Sequence, residues 1–380
     1  MHMTDGVPVH IIGAGPGGLA TAAALHERGI SAVVLEKSPS VAASWRSHYD
    51  RLRLHTTRRW SALPGLAIPR SYGRWVARDD LVRYLEGYVE HHGIEVATGV
   101  EVDSIERRDE QWVLHANGGR RLTTPAAVVA TGYNHTARLP SWDGRDSFEG
   151  ELLHASRYRN AKPYAGKDVL VAGAGNTGAE IAVDLAEGGA ARVRLAVRTV
   201  PHIVRRSTLG WPAQASGVLC RRLPTRVVDG LAARLAKAAI PDLSGYGLPR
   251  PDTGLYTRAR QGAIPVQDVG LIEAVRRGRV EPVAALESFD GAKVQLADGG
   301  TVTPDVVIAA TGYERGLEDL VGPLGVLDAQ GRPLAHGRRT HPGAPGLYFT
   351  GYTNPLSGML RELSLDARRI ALAISRATAP

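Results

Sequence analysis

The sequence predicts an α/β protein in which one βαβ arrangement occurs twice. Two turns of the pattern Gly-x-Gly-x-x-Gly, Gly13–Gly18 and Gly173–Gly178, each follow a short apolar strand and begin an alanine-rich helical stretch. Two later strands end in the same tetrapeptide, Ala-Thr-Gly-Tyr, at residues 130–133 and 310–313. Hairpin-like strands with Asn-Gly or Asp-Gly turns precede both endings. The repeat therefore predicts two similar domains, each with an inserted antiparallel β meander.

The glycines of both turns occur where a bound dinucleotide needs them. The first permits the tight strand-to-helix turn, the second lets the backbone approach a pyrophosphate, and the third lets helix and strand pack closely. The pyrophosphate then meets unpaired amides at the positive end of a helix. We therefore predict two Rossmann-like dinucleotide-binding domains. The residues assigned to the pyrophosphates are Gly13, Gly15 and Gly18 in the first turn, and Gly173, Gly175, Asn176, Thr177 and Gly178 in the second.

The second strand of each βαβ arrangement ends in a residue of opposite charge. Glu36 ends the first copy, and Arg198, followed by Thr199, ends the second. A carboxylate accepts hydrogen bonds from a ribose diol and favours an unphosphorylated adenosine, whereas a guanidinium suits a 2′-phosphate. The simplest interpretation is FAD in the first domain and NADPH in the second. A solvated surface arginine is the alternative for Arg198 taken alone.

The two Ala-Thr-Gly-Tyr endings are candidate cofactor contacts. Small residues after a strand let the backbone lie against a ligand or a neighbouring element. This reasoning selects Thr131 and Gly132 in the first copy, and Thr311 and Gly312 in the second. A plain exit from strand to loop is the alternative for either copy alone.

The order of strands and loops predicts that one domain is discontinuous. Pro- and Gly-rich loops around residues 161–166 and 342–346 are typical of crossings between domains. The predicted boundaries are 1–155 plus 304–380 for the FAD domain, and 160–303 for the NADPH domain, with a helical insertion around 210–260.

Composition excludes several other classes of protein. A single cysteine, Cys220, allows neither an internal disulfide nor the redox cysteine pair of a flavin disulfide reductase. No Cys/His group has metal-ligand spacing, so we expect no metal. The net charge is +8, but no Lys/Arg block alternates with stacking aromatic residues, which argues against nucleic-acid binding. Basic residues near the second glycine turn instead favour an anionic dinucleotide or an acidic substrate.

The sequence contains no segment typical of targeting or membrane insertion. A strand begins at about Val7, which leaves no room for a cleavable signal peptide. No apolar stretch approaches the length of a membrane span. We therefore expect a cytoplasmic protein whose partners are a small-molecule substrate and O2. The sequence does not distinguish a monomer from a homo-oligomer.

A further motif indicates the type of reaction. Residues 148–158 have Phe148, Gly150, His154 and Tyr158 in the pattern Phe-x-Gly-x-x-x-His-x-x-x-Tyr. This segment resembles the fingerprint of the class B flavin-containing monooxygenases. An ordinary interdomain linker with a buried histidine is the alternative. The resemblance implies a linker near the nicotinamide cofactor, so we expect His154 to couple the domains rather than to transfer protons.

Other stretches are similar to the YUCCA-type branch of that family, the plant enzymes that oxidatively decarboxylate indole-3-pyruvate. The similarity implies an NADPH-dependent FAD monooxygenase whose C4a-(hydro)peroxyflavin transfers one oxygen atom to a small organic substrate. A carbonyl compound such as a 2-oxo acid or a ketone is expected. The alternatives are heteroatom oxygenation, an NAD(P)H oxidase or flavin reductase that releases hydrogen peroxide, and a non-catalytic redox sensor. The similar stretches are Tyr49–His55, Tyr246–Pro251, Ile264–Gly270, Gly346–Thr353 and Leu356–Gly358.

The resemblance also implies roles for single residues. Trp45 and Arg46 resemble a Trp-Arg pair that packs against FAD, and Gly351 lies where the returning chain meets the flavin. Arg250 resembles an arginine that stabilises a peroxide anion near the flavin, with a surface arginine as the alternative. The Thr/Ser-Asn-x-x-Lys motif of heteroatom-oxidising members is replaced by Leu-His-Thr-Thr-Arg, which disfavours amine oxidation. His55 in that run is a candidate flavin-facing residue, although a lone histidine is more often structural.

Overall fold

The chain forms two compact units in the computed structural model, which describes residues 6–220 and 223–377. The first unit combines the chain up to residue 47 with residues 56–136 and the chain from residue 313 onward. The second unit combines residues 48–55 with residues 137–312. Each unit has its own parallel sheet and its own hydrophobic core.

The first unit is built around a five-stranded parallel sheet. Its central strand β1 is buried along its whole length, as expected for a parallel strand that is covered on both faces. The strand order is that of a Rossmann-type sheet. The strands, in spatial order, are β22 (Leu347–Phe349), β7 (Ala127–Val129), β1 (Val9–Ile12), β2 (Ala32–Glu36) and β3 (Glu95–Thr98).

Helices and an antiparallel meander complete the first unit. Helix α1 (Pro16–His26) is rich in alanine and buried on nearly every side, and the apolar face of α11 (Met359–Ala377) packs against it. Helix α4 (Arg78–His92) also contacts α1. The meander comprises β4 (Val102–Arg108), β5 (Gln111–Ala116) and β6 (Arg120–Thr124). Shorter elements are α2 (Ala43–Arg46), α3 (Arg58–Ser61), β8 (Thr136–Ala137), β21 (Tyr313–Glu314) and α10 (Glu318–Val321).

The second unit repeats this plan with a second five-stranded parallel sheet. After Asp168, its central strand β10 contains only apolar residues, and all of them are buried. This pattern is typical of a parallel strand that is covered on both faces. The strands, in spatial order, are β16 (Glu281–Ala284), β11 (Arg192–Val197), β10 (Asp168–Ala172), β20 (Val306–Ala309) and β9 (Glu151–His154).

The second unit also contains a meander and a helical insertion. Helix α5 (Asn176–Glu187) follows β10, and α9 (Leu271–Arg276) packs against α5. The meander comprises β17 (Leu286–Asp290), β18 (Lys293–Leu296) and β19 (Thr301–Val302). The insertion and its flanking strands are β12 (Ile203–Arg205), β13 (Ser207–Thr208), β14 (Trp211–Pro212), α6 (Ala213–Leu219), α7 (Thr225–Ala239), α8 (Leu255–Arg260) and β15 (Val266–Asp268).

The predicted fold class, two Rossmann-like domains with inserted meanders, is confirmed. The boundaries between the two units lie at residues 47/48, 55/56, 136/137 and 312/313, which differ from the predicted domain boundaries. Strands β9 and β20 pair in parallel with each other, and β20 pairs with β10. Residues 137–155 and 304–312, which contain these two strands, therefore belong to the second unit. The backbone N–H of Asp50 donates to the carbonyl of Arg159, which ties residues 48–55 to the same unit. Within the described ranges, no helix is both long and apolar enough to cross a membrane.

Candidate dinucleotide-binding sites

Both glycine turns begin with a residue that must be glycine. Gly13 and Gly173 have φ values of +108° and +117°, which L side chains rarely adopt. A Cβ atom at Gly13 would lie 2.7 Å from the carbonyl oxygen of Ala130, and one at Gly173 would lie 2.5 Å from that of Ala310. The alanine of each Ala-Thr-Gly ending therefore packs directly on a glycine turn, which explains why the two motifs occur together in both units.

The other glycines of each turn differ in their surroundings. A Cβ atom at Gly18 or Gly178 would overlap the carbonyl oxygen of the first glycine of the same turn, so the helix packs there too closely for a side chain. Gly15 and Gly175 are the N-cap residues of α1 and α5. Apart from chain neighbours, no heavy atom of the described residues lies within 4 Å of a Cβ added at either. These open helix N-termini fit the pyrophosphate of a dinucleotide.

The carboxylate of Glu36 is held by the backbone around the first turn. Oε2 accepts a hydrogen bond from the N–H of Ala14 at 2.8 Å, and Oε1 accepts one from the N–H of Ser38 at 2.9 Å. Glu36 is only 9% exposed. Each carboxylate oxygen retains a further acceptor position. The geometry therefore fits a fixed acceptor for ribose hydroxyls.

Arg198 and Thr199 are exposed immediately after β11. The Arg198 guanidinium has no hydrogen-bond or ion-pair partner among residues 6–220 and 223–377. Two other basic residues of β11 are already paired, because Arg192 contacts Glu281 and Arg194 contacts Asp168. Arg198 is therefore available for an external anion, whereas those two neighbours stabilise the sheet.

The side chain of Asn176 has a structural use that the sequence did not indicate. Nδ2 donates to the carbonyl of Pro265 at 3.0 Å, and Oδ1 accepts from the N–H of Gln267 at 2.8 Å. Both ends of the amide thus link α5 to strand β15. Asn176 can contribute its backbone N–H to a pyrophosphate, and Thr177 beside it is half-buried in the first turn of the helix.

The Ala-Thr-Gly endings are fixed by hydrogen bonds within each unit. The hydroxyls of Thr131 and Tyr352 are 2.8 Å apart, and the backbone N–H of Thr131 donates to the same Tyr352 oxygen at 3.2 Å. The hydroxyl of Thr311 donates to a main-chain carbonyl of the second unit. Gly132 and Gly312 have φ values of +96° and +86°. These hydrogen bonds fasten each ending within its own unit, and the predicted contacts of Thr131, Gly132, Thr311 and Gly312 with cofactors stay predictions.

The loop after β22 contains a buried hydroxyl group without a partner. Thr350 is 1% exposed, and its Oγ1 has no hydrogen-bond partner among the described residues. A Cβ at Gly17, in the first turn of α1, would lie 3.4 Å from the Thr350 methyl carbon. Gly351 follows with a φ of +88°. The Thr350 hydroxyl is therefore a polar atom that the first unit itself encloses beside the first turn of α1.

Trp45 and Arg46 lie in the short helix α2 of the first unit. Trp45 is half-buried. Arg46 is exposed, and it donates to the carbonyl of Val41 at 3.3 Å and pairs with Glu86. The predicted contact of this pair with FAD stays a prediction.

The fingerprint residues 148–158 have specific contacts in the second unit. The rings of Phe148 and Phe289 are 4.9 Å apart, and a Cβ at Gly150 would lie 2.7 Å from the carbonyl oxygen of Asp305. The hydroxyl of Tyr158 donates to Asp184 on α5 at 2.6 Å. These contacts fasten strand β9 and the segment after it to the sheet and to helix α5.

His154 is held in one neutral form by the backbone. Its Nδ1 accepts from the N–H of Ser156 at 3.1 Å, so Nε2 carries the hydrogen that it donates to the carbonyl of Gly312 at 3.1 Å. Burial lowers the pKa of the His154 imidazole below its ordinary value. Both ring nitrogens contact backbone groups, and the predicted role of His154 in coupling the domains stays a prediction.

The two predicted catalytic residues have structural contacts in the second unit. Nε2 of His55 lies 2.9 Å from Oε1 of Glu180, a carboxylate buried on α5, although the two are not aligned for a hydrogen bond. Arg250 is exposed and donates to the carbonyl of Ile240 at 2.8 Å. Their roles beside a reacting flavin stay predictions.

Sequence reasoning missed the residues that support the motifs. Tyr352 and Thr350 lie next to the predicted Gly351 but carry no motif of their own. Glu180 lies two residues after the second glycine turn, where a carboxylate on a buried helix face is unusual. A carboxylate at a predicted buried position of this helix is the sequence feature that could have indicated Glu180.

Three comparisons relate the chain to known proteins. A family model described as pyridine nucleotide-disulphide oxidoreductase matches residues 10–208, more than half of the chain. Indole-3-pyruvate monooxygenase YUCCA1 of Oryza sativa subsp. japonica is 34% identical over 367 residues, which cover 95% of this chain and 89% of that protein. Probable indole-3-pyruvate monooxygenase YUCCA9 of Arabidopsis thaliana is 35% identical over 371 residues, covering 95% and 87%.

Solved structures agree with this relationship. A mutant of the flavin monooxygenase from Stenotrophomonas maltophilia has a TM-score of 0.75 and 25% identity, with 99% of this chain and 100% of that chain covered. The glycine turns, the fingerprint contacts and the extent of the sequence match all agree with it. The chain therefore belongs to the pyridine nucleotide-disulphide oxidoreductase family and is a flavin-dependent monooxygenase of class B, of the YUCCA type.

Proposed function

We propose that this monooxygenase binds FAD at the first glycine turn and NADPH at the second, and that it oxygenates a small carbonyl compound. The observation that carries the cofactor assignment is the contrast between Glu36 and Arg198. Glu36 is a fixed, nearly buried acceptor beside the first turn, whereas Arg198, after the corresponding strand, is an exposed cation without a partner in the described part of the chain. A ribose diol suits the first and a 2′-phosphate suits the second.

The protein's own residues bind, orient and shield in this proposal. Main-chain amides at the N-termini of α1 and α5 bind the two pyrophosphates. When bound, FAD supplies oxygen activation after its reduction by NADPH. His154, bonded to the backbone through both nitrogens, holds its loop and moves no proton.

The substrate class is supported by the relatives and by one sequence departure. The curated relatives named above are indole-3-pyruvate monooxygenases, and indole-3-pyruvate is a 2-oxo acid. The run of residues 54–58 lacks the asparagine and lysine of the heteroatom-oxidising pattern. We therefore propose a 2-oxo acid or ketone rather than an amine or a thioether.

Anaerobic reduction followed by aeration tests this function. NADPH should bleach the flavin absorbance in a stopped-flow experiment, and aeration should give a long-lived oxygenated flavin spectrum that a carbonyl substrate shortens. The product should contain one oxygen atom from labelled O2. Stoichiometric hydrogen peroxide with every compound would instead identify an oxidase, turnover of thioethers alone a heteroatom oxygenase, and absence of reduction a sensor.

A further inference from the structure

Exposed apolar side chains are concentrated in the helical insertion of the second unit. Of the twelve large apolar residues that are exposed among those the structure describes, eight lie between positions 209 and 246. Such grouping on one part of a surface marks an interaction site more often than chance exposure does. The eight are Leu209, Trp211, Leu219, Leu223, Val227, Leu231, Leu235 and Tyr246.

Helix α7 carries the longest part of this surface. Val227, Leu231 and Leu235 are four residues apart, so they form a stripe along one face of the helix. Their exposed fractions are 65%, 54% and 61%. Leu219, at the end of α6, and Leu223 are also exposed ahead of this helix. We call Val227, Leu231 and Leu235 the apolar stripe.

The stripe is held outward by contacts on the other side of α7. Asp229, about half a turn around the helix from the stripe, accepts a hydrogen bond from the N–H of Tyr256 at 2.6 Å. The second oxygen of Asp229 accepts from the hydroxyl of Thr257 at 2.6 Å. Helix α8 therefore occupies one face of α7 and fixes its rotation, and the apolar stripe remains exposed.

The hairpin of β13 and β14 adds a second exposed apolar group. Its turn is Leu209-Gly210, with φ values of +48° and +80°. Asn, Asp and Gly are the residues that favour this conformation, and leucine is unfavourable there. Leu209 is nevertheless fully exposed at the tip, and Trp211 next to it is 54% exposed. An apolar side chain in a strained, exposed position suggests a function for it.

The charge of the same segment indicates what the surface contacts. Residues 205–260 contain ten Lys and Arg residues against three Asp, a surplus of seven in a chain whose net charge is +8. Arg226, Arg234 and Lys237 are exposed on α7 beside the apolar stripe. Two copies of this surface would repel each other, whereas an anionic surface would attract it.

We propose that this insertion is a docking surface for an anionic lipid bilayer. The apolar stripe and the Leu209–Trp211 tip enter the boundary between headgroups and acyl chains, and the flanking cations contact the phosphate groups. Tryptophan beside apolar residues is typical of such an interface. This peripheral attachment goes beyond the proposed oxygenation chemistry and is independent of the substrate class.

Vesicle sedimentation of the full-length, FAD-loaded protein tests this surface. Binding to vesicles of equal parts phosphatidylcholine and phosphatidylglycerol should exceed binding to phosphatidylcholine alone by about tenfold or more, and high salt should reduce it. The double variant Leu231→Glu/Leu235→Glu should lose the binding. The matched control Leu139→Glu/Leu334→Glu changes two other exposed leucines outside the insertion and should retain it.

Substitution of the basic residues of α7 tests the electrostatic part of the proposal separately from the apolar part. Arg226→Glu/Arg234→Glu should abolish binding at low salt, whereas Arg107→Glu/Arg279→Glu, two exposed arginines elsewhere, should reduce it much less. Unchanged flavin absorbance and melting temperature verify that each variant folds. Equal binding to neutral vesicles, equal loss in the controls, or no vesicle binding at all would overturn the proposal. A dimer that Leu231→Glu/Leu235→Glu dissociates, without vesicle binding, would assign the surface to a second copy instead.

Discussion

The hydroxyl of Tyr352 lies 2.8 Å from the hydroxyl of Thr131, and it also accepts the backbone N–H of Thr131. Thr131 follows β7 and Tyr352 follows β22, two paired strands of the first sheet that are far apart in sequence. Burial raises the pKa of Tyr352 to about 12, so the phenol stays protonated at any working pH. One side chain thus joins two loops that the sequence predicts to contact a cofactor.

Tyr352→Phe is expected to weaken both the fold and the binding of FAD. The substitution keeps the ring but leaves the Thr131 N–H without its partner, so we expect a loss of about 1–2 kcal/mol in the free energy of unfolding. Urea unfolding and the FAD content after dialysis measure the two effects. Tyr246→Phe, which changes an exposed tyrosine, is the control. Equal stability of the two variants would show that the Tyr352 hydroxyl is dispensable.

Two substitutions in the second glycine turn should separate binding from folding. Gly178→Ala places a methyl group on the carbonyl oxygen of Gly173, so we expect a loss of about 2 kcal/mol or more in stability. Gly175→Ala meets only open space in the described residues and has a φ of −78°, which alanine accepts. It should fold normally yet bind NADPH at least about tenfold more weakly, because the methyl group occupies the approach of the pyrophosphate. Titration calorimetry measures the NADPH affinity of each variant, and thermal unfolding measures its stability. A Gly178→Ala protein as stable as the unsubstituted one would contradict the packing argument.

Arg198→Ala should lower the affinity for NADPH far more than that for NADH. A charge-assisted contact with a 2′-phosphate is worth about 1.5–3 kcal/mol, so the Kd for NADPH should rise by about tenfold to 100-fold. NADH lacks that phosphate, and its Kd should change little. Arg279→Ala removes another exposed arginine and is the control. The same loss for both dinucleotides would exclude a contact with the 2′-phosphate.

The sequence predicted those parts of the site that a local pattern encodes. The glycine turns, Glu36 and the meanders follow from spacing along a few residues, and strand-turn-helix geometry makes such spacing informative. The Asn-Gly turn of the first meander and the Asp-Gly turn of the second both occur between the strands as predicted.

The remaining features depend on pairing between distant segments. Strand β20 joins the second sheet, and Tyr352 reaches Thr131, only because of strand order, which no local pattern specifies. The position of Asn176 in the glycine turn predicted a contact with the pyrophosphate. Its side-chain amide instead binds backbone groups of residues 265 and 267, about 90 positions away, which no local pattern could indicate. The apolar stripe of α7 could have been found from its four-residue spacing alone, but only the structure shows which face α8 covers.

His154 gives a prediction for the pH dependence of stability. Its pKa is lowered by burial in the folded state, whereas the unfolded chain has the ordinary value of 6.5. Between the lowered value and pH 6.5 the unfolded chain therefore binds up to one more proton than the folded protein, and stability falls as the pH falls through this interval. His154→Gln keeps a donor and an acceptor but does not titrate, so the loss of stability between pH 6.5 and 5 should become shallower, by at most about 1.4 kcal/mol per pH unit.

Urea unfolding at a series of pH values measures this pH dependence of stability, with His91→Gln, which changes an exposed histidine, as the control. Because burial also lowers the pKa of His10 and His336, the slope should decrease rather than vanish; an unchanged slope would mean that His154 is protonated in the folded protein.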